Sequence, residues 1–148
     1  MHRMRDGRFV IEDVTRGRWN ALERETRLNR VVHADWDRLK RLGVSYKVVI
    51  EQEPGSGGKE SVEATIRGLA GFTCIADKPT GSKEVRADPF AAQVQGNNVW
   101  RVAGPWIPGF IEEAEIHWPH SPHLDQIDAA TMAFAHLQAN DDLYANFE

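Results

Sequence analysis

The sequence is poor in cysteine, and it has no long apolar run, no internal repeat and no low-complexity tract. Its single cysteine, Cys74, excludes an internal disulfide framework and a cysteine-rich zinc module; it suits a reducing compartment and reads as core filler. No stretch approaches the roughly 18 consecutive apolar residues that mark a transmembrane helix, so that class is excluded and no membrane partner is expected. The opening residues Met1 to Arg8 lack the apolar core of a secretory signal. What is there is ordinary: 148 residues, 41% hydrophobic and 27% charged, the size and composition of one soluble globular domain.

Charge is unevenly placed. Residues 1–47 hold 12 lysines and arginines against 7 acids, whereas residues 48–148 hold 6 against 15. A basic first third fits a polyanion or an acidic partner; from charge alone, solvated helix faces are the more ordinary reading.

The pattern alternates strands and helices, which indicates an α/β domain. Asp6-Gly7 predicts a hairpin turn, followed by a strand over Phe9 to Val14. Leu28, Val32, Trp36 and Leu39 recur at helical spacing, predicting a helix from about Trp19 to Leu42 with Asn20 as N-cap and Gly43 as terminator. Val44 to Glu51 reads as a buried strand, and its position after a long helix predicts some parallel pairing. Further helices are expected from Lys59 or Glu60, over Asp88 to Gln95, over Pro108 to Ile116 and over Asp125 to Gln138, with strands over Phe72 to Ala76 and Val99 to Val102. Residues 139–148 are expected to form a loose tail.

Two constellations could carry chemistry. Glu51 closes the central strand, where a carboxylate is solvated, paired or bound to a cation. Asp125 and Asp128 are three apart and share one face of a helix start; they either complement the helix dipole or offer hard oxygens to Mg²⁺ or Mn²⁺. Two other patterns fail. Gly55 to Lys59 resembles a phosphate loop, but Glu53 stands where a Walker A motif needs glycine and Glu60 where it needs serine or threonine, so ATP binding is rejected there. The loop amides and Lys59 keep the chemistry to meet a nucleic-acid phosphate. His117, His120 and His123 have no thiol near in sequence, and two prolines interrupt them, which argues against zinc.

Taken in order, Ile50-Glu51-Gln52-Glu53-Pro54-Gly55-Ser56-Gly57-Gly58-Lys59-Glu60, Arg86-Ala87-Asp88-Pro89-Phe90-Ala91-Ala92-Gln93, Val102-Ala103-Gly104-Pro105-Trp106 and His123-Leu124-Asp125-Gln126-Ile127-Asp128-Ala129 resemble the C-terminal nuclease domain of tailed-phage large terminases. The similarity runs from about Gly7 to Leu137. The resemblance implies an RNase H-like mixed sheet flanked by helices, and two-metal cutting of concatemeric double-stranded DNA with Mg²⁺ or Mn²⁺. By position it implies Glu51, Asp125 and Asp128 as metal ligands and catalytic acids, with Asp125 ahead of Asp128, and Lys59, Lys83 and Arg86 as phosphate contacts. The partners it implies are DNA, a terminase ATPase domain, a small terminase and a portal, in the cytoplasm of a bacterial host.

Two departures stand out. Leu124 replaces the first Asp of the family's His-Asp-Asp, and the family's first catalytic Asp belongs to a strand upstream of Met1. Residues 1–148 thus read as one terminase-like domain truncated at its N-terminus, either a nuclease or an inactive prophage remnant that keeps the fold and binds DNA or a packaging partner. Loss of a central strand predicts an exposed sheet edge, and with it self-association, a swapped segment, pairing with an upstream fragment or a rearranged sheet.

Overall fold

The computed structural model describes residues 1–117 and 124–144. The elements are β1 (His2–Arg3), β2 (Phe9–Ile11), α1 (Ala21–Leu39), β3 (Val48–Glu51), α2 (Ser56–Gly68), β4 (Cys74–Asp77), α3 (Lys83–Gln95), β5 (Val99–Arg101), α4 (Ile107–Glu112) and α5 (Asp125–Tyr144). They form two compact units. One combines Met1–Arg16 with Gly81–Glu148, and the other is the continuous stretch Gly17–Thr80.

In the continuous unit, α1 starts where expected. Asn20 accepts from the Glu23 amide while the Glu23 side chain accepts from the Asn20 amide, a reciprocal capping box. A short 3₁₀ turn over Lys40–Leu42 ends at Gly43, whose φ of 65° is left-handed. β3 and β4 pair in parallel, as the intervening helix requires. β3 is shorter than expected, since Val44 stays outside it and half-exposed, and β4 offers four partners only. Val32, Val48 and Leu69 are buried together, with Leu28, Tyr46, Ile50, Phe72 and Cys74 packed around them. Burial pushes the Tyr46 phenol up to about 12 and raises the Cys74 thiol, and the lone cysteine packs against this core partly buried.

In the other unit, β2 lies between β1 (antiparallel) and β5 (parallel). The β1–β2 hairpin turns at Gly7, with φ of 89° and its amide bonded to the Met4 carbonyl at 3.0 Å. Phe9 and Ile11 pack against Phe90 of α3, Trp106 and Phe110 around α4, and Ile127, Ala130 and Phe134 of α5. Phe134 centres this core, with ring centroids 4.8 Å from Phe9 and 5.6 Å from Phe90.

The architecture is mixed α/β, as expected, but among the described residues the strands form two small sheets, β1-β2-β5 and β3-β4, in place of one continuous sheet. α3 begins at Lys83, earlier than Asp88, because the Ser82 hydroxyl caps the Val85 amide and the helix accommodates Pro89 within it. α5 runs past Gln138 to Tyr144, so residues 139–144 are helical; no glycine or proline interrupts them. Residues 145–148 of the expected tail lie outside the described residues, as does the irregular segment 118–123. Phe134→Ala is expected to cost about 4 kcal/mol and Asn20→Ala about 1 kcal/mol, both read from urea unfolding followed by circular dichroism.

Candidate functional site

The continuous unit places Glu51 at the exposed carboxyl end of β3. Its register partner on β4 is Asp77, and the Gln52 amide bonds to the Asp77 carbonyl at 2.7 Å, so two acidic residues stand side by side at adjacent strand ends. Like charges in that register repel unless a cation joins them. Sequence reading singled out Glu51 and passed over Asp77. The signal was present, because Ile75-Ala76-Asp77 repeats the pattern of a short apolar strand closed by an acid.

The glycine-rich loop after β3 is the first turn of α2. Gly55 caps it with φ of 94°, and no side chain caps the helix. Gly58 lies so close to the chain behind it that a Cβ would fall 2.1 Å from the Glu53 carbonyl oxygen; any side chain there would push α2 off the strand end. The glycines therefore start the helix earlier than Lys59. Lys59 lies on the exposed face, 3.7 Å from Glu63 one turn on.

The other unit holds the start of α5. Leu124, which precedes it, is fully buried, so the position where the family pattern has its first Asp is a core position here. Asp125 is exposed. The helix start has a cap borrowed from outside it. Glu113, 1% exposed, accepts from the amides of Gln126 at 2.8 Å and Ile127 at 2.9 Å and from the Gln126 side chain at 2.7 Å. Arg16 lies 3.7 Å from the same carboxylate. Glu113 thereby satisfies amide donors that the helix itself leaves unpaired, and its charge meets the positive end of the helix dipole. Nothing in the sequence reading had assigned Glu113 a role. Its position on the face shared with Phe110 and Ala114 was the available clue.

Asp128, one turn further on, is surrounded by positive charge. Its Oδ2 lies 2.5 Å from Lys83 Nζ, and its Oδ1 lies 3.6 Å from Arg86. The structure thus joins three of the expected site residues, Asp128, Lys83 and Arg86, in one ion cluster between α3 and α5. It places Glu51 and Lys59 in one unit and Asp125 in the other. Among the described residues no group of three His, Cys, Asp or Glu side chains is gathered to hold a metal ion. His120 and His123 lie outside the described residues. A cleft of about 350 Å³ opens at the β1–β2 hairpin, lined by Arg3, Asp6, Gln93 and Asn98 among others, and the candidate acids do not line it.

The family model for the terminase RNaseH-like domain matches residues 6–137. The chain belongs to this family. The resemblance read from the four motifs is borne out, and it supports a terminase nuclease type of function in phage DNA packaging. Comparison with curated proteins returned no match, and neither did comparison with solved structures. Among the described residues of this terminase domain, no helix is long and apolar enough to cross a membrane.

The acids of the domain differ in how well they suit a hard divalent cation. Glu51 and Asp125 are exposed carboxylates, the donor chemistry such a cation takes. Asp128 differs from both, since each of its oxygens faces a cationic side chain. Replacing Glu113 by alanine strands the buried α5 amides; the variant is expected to lose about 3 kcal/mol of stability in urea titrations, with Glu113→Gln losing less.

Proposed function

We propose that the chain is a metal-dependent endonuclease domain of a phage packaging terminase, hydrolysing phosphodiester bonds of concatemeric double-stranded DNA in the cytoplasm of a bacterial host. The observation that carries this reading is the family match over residues 6–137, with the acidic strand end and the acidic helix start of its motifs both present. Glu51 and Asp125 would hold Mg²⁺ or Mn²⁺. When bound, such cations activate a water and stabilise the leaving oxygen of an in-line displacement at phosphorus.

The chain's own groups do the rest. Glu113 fixes the first turn of α5, and with it the backbone that carries Asp125. Gly58 lets the first turn of α2 pack directly behind the strand end that carries Glu51. Lys59 and the first-turn amides of α2 would receive a DNA phosphate, fixing the duplex without reading its sequence. Partner contacts with a terminase ATPase domain, a small terminase and a portal belong to the same reading. So does association with a second copy of the chain through β3, which among the described residues pairs only with β4.

Purified protein incubated with supercoiled plasmid and Mn²⁺ is expected to nick and linearise it, and Glu51→Ala and Asp125→Ala to fall to background while still melting cooperatively. Wild-type protein that leaves plasmid intact, with no heat of Mn²⁺ binding in calorimetry, would refute the nuclease reading. Sedimentation velocity is expected to show a dimer that dissociates when Val49→Lys places a charge on β3; a monomer at every concentration would exclude the edge pairing.

A further inference from the structure

We infer that Asp128 is a counter-ion that fastens α3 to the first turn of α5, with Lys83 and Arg86 as its partners, and that it does not ligate metal. The inference draws on the metal reading of Asp125 for one of its two readouts only.

Lys83 and Arg86 are three apart in α3 and share the face that carries the buried Ala87 and Phe90. That face packs on α5, so both cations are carried toward the neighbouring helix by the same apolar contact that buries Phe90 against Phe134. Asp128 is the acid that meets them. Its side chain is 13% exposed, that of Arg86 25% and that of Lys83 41%, so the cluster is partly withdrawn from water and is screened less than a surface pair. Each carboxylate oxygen faces a different cation. A divalent ion at Asp128 would have to displace the Lys83 ammonium and then sit beside the Arg86 guanidinium, a like-charge neighbour that opposes binding. Asp125, exposed and one turn nearer the helix start, has no such obstacle in the cluster. Lys83 and Arg86 are by the same geometry committed to Asp128, which withdraws them from the phosphate contacts.

The test uses the full chain, with thermal unfolding and Mn²⁺ calorimetry on Asp128→Asn, Lys83→Met, the double variant, Lys83→Arg and Asp125→Asn. Asp128→Asn and Lys83→Met are each expected to melt about 5 °C lower, and the double variant no lower than Asp128→Asn, because both remove one interaction. Lys83→Arg is expected to melt close to wild type. Mn²⁺ affinity in Asp128→Asn and Lys83→Met is expected to stay within about threefold of wild type, whereas Asp125→Asn loses it. The inference is overturned if a folded Asp128→Asn no longer takes up Mn²⁺, or if the two melting losses add. Should Asp128→Asn not fold, Lys83→Met decides. An affinity for Mn²⁺ tightened about tenfold would mean that the ammonium had been competing with metal for Asp128, and would overturn the inference; an unchanged affinity supports it. A wild-type chain that binds no Mn²⁺ removes the metal reading of Asp125 by itself, and the melting cycle still decides whether Asp128 anchors the helices.

Discussion

The buried carboxylate of Glu113 pressed against the start of α5 is the contact on which the acidic end of that helix depends. A helix start presents unpaired amides, and in a dry environment they need an acceptor. The residue before α5 cannot supply one, because Leu124 is committed to the core. Glu113 answers from another turn of chain, taking two amides and a side-chain amide at once, and Arg16 approaches the remaining charge. Burying an acid is costly unless its oxygens are filled, and here they are filled by the groups that also needed filling. The direction in which Asp125 and Asp128 leave the helix follows from that fixed turn.

Below this cap, α3 and α5 are held by two kinds of contact that reinforce each other. Phe90 and Phe134 supply apolar area, and the Lys83–Asp128–Arg86 cluster supplies directional charge at the rim of the same interface. The apolar contact sets how close the helices come, and the cluster sets how they are aligned along their length. In the continuous unit the corresponding demand is steric. The contact between α2 and the chain behind β3 leaves no room for a Cβ at position 58, so Gly58 is there for reach and the phosphate-loop look of its neighbours is incidental to nucleotide chemistry.

Much of this was legible in the residues. Asn20 with Glu23, Gly43 and the Asp6-Gly7 turn follow from local chemistry that tertiary context does not override, and the parallel pairing of β3 follows from its alternation with helices. The family was legible because four separated motifs stood in order. What escaped notice depended on contacts distant in sequence. A helix beginning at Asp88 would leave Lys83 and Arg86 outside it, with no buried face to set their direction. Starting it at Lys83, after the Ser82 cap, puts them on the buried stripe with Ala87 and Phe90, and their partner becomes an acid more than forty positions away. Glu113 escaped for a similar reason: its place on the face of Phe110 and Ala114 hinted at burial, but its partners are amides thirteen and fourteen positions away. Asp77 closes an apolar strand as Glu51 does, and the register of β3 and β4 sets the two side by side.

The hairpin at the amino end of the chain pairs in parallel with β5, so that Phe9 faces Val99, and the whole of Gly17–Thr80 is threaded between them. During synthesis on a ribosome, β2 emerges early and has no parallel neighbour until β5 follows, while the intervening stretch already holds the core residues it needs. The stretch Gly17–Thr80 therefore has its own core residues in hand first, whereas the other unit waits for β5 and α5. Closing that long loop makes the enclosing unit the slower of the two, and it leaves Phe9 and Ile11 uncovered in the nascent chain for as long as translation takes to reach α5.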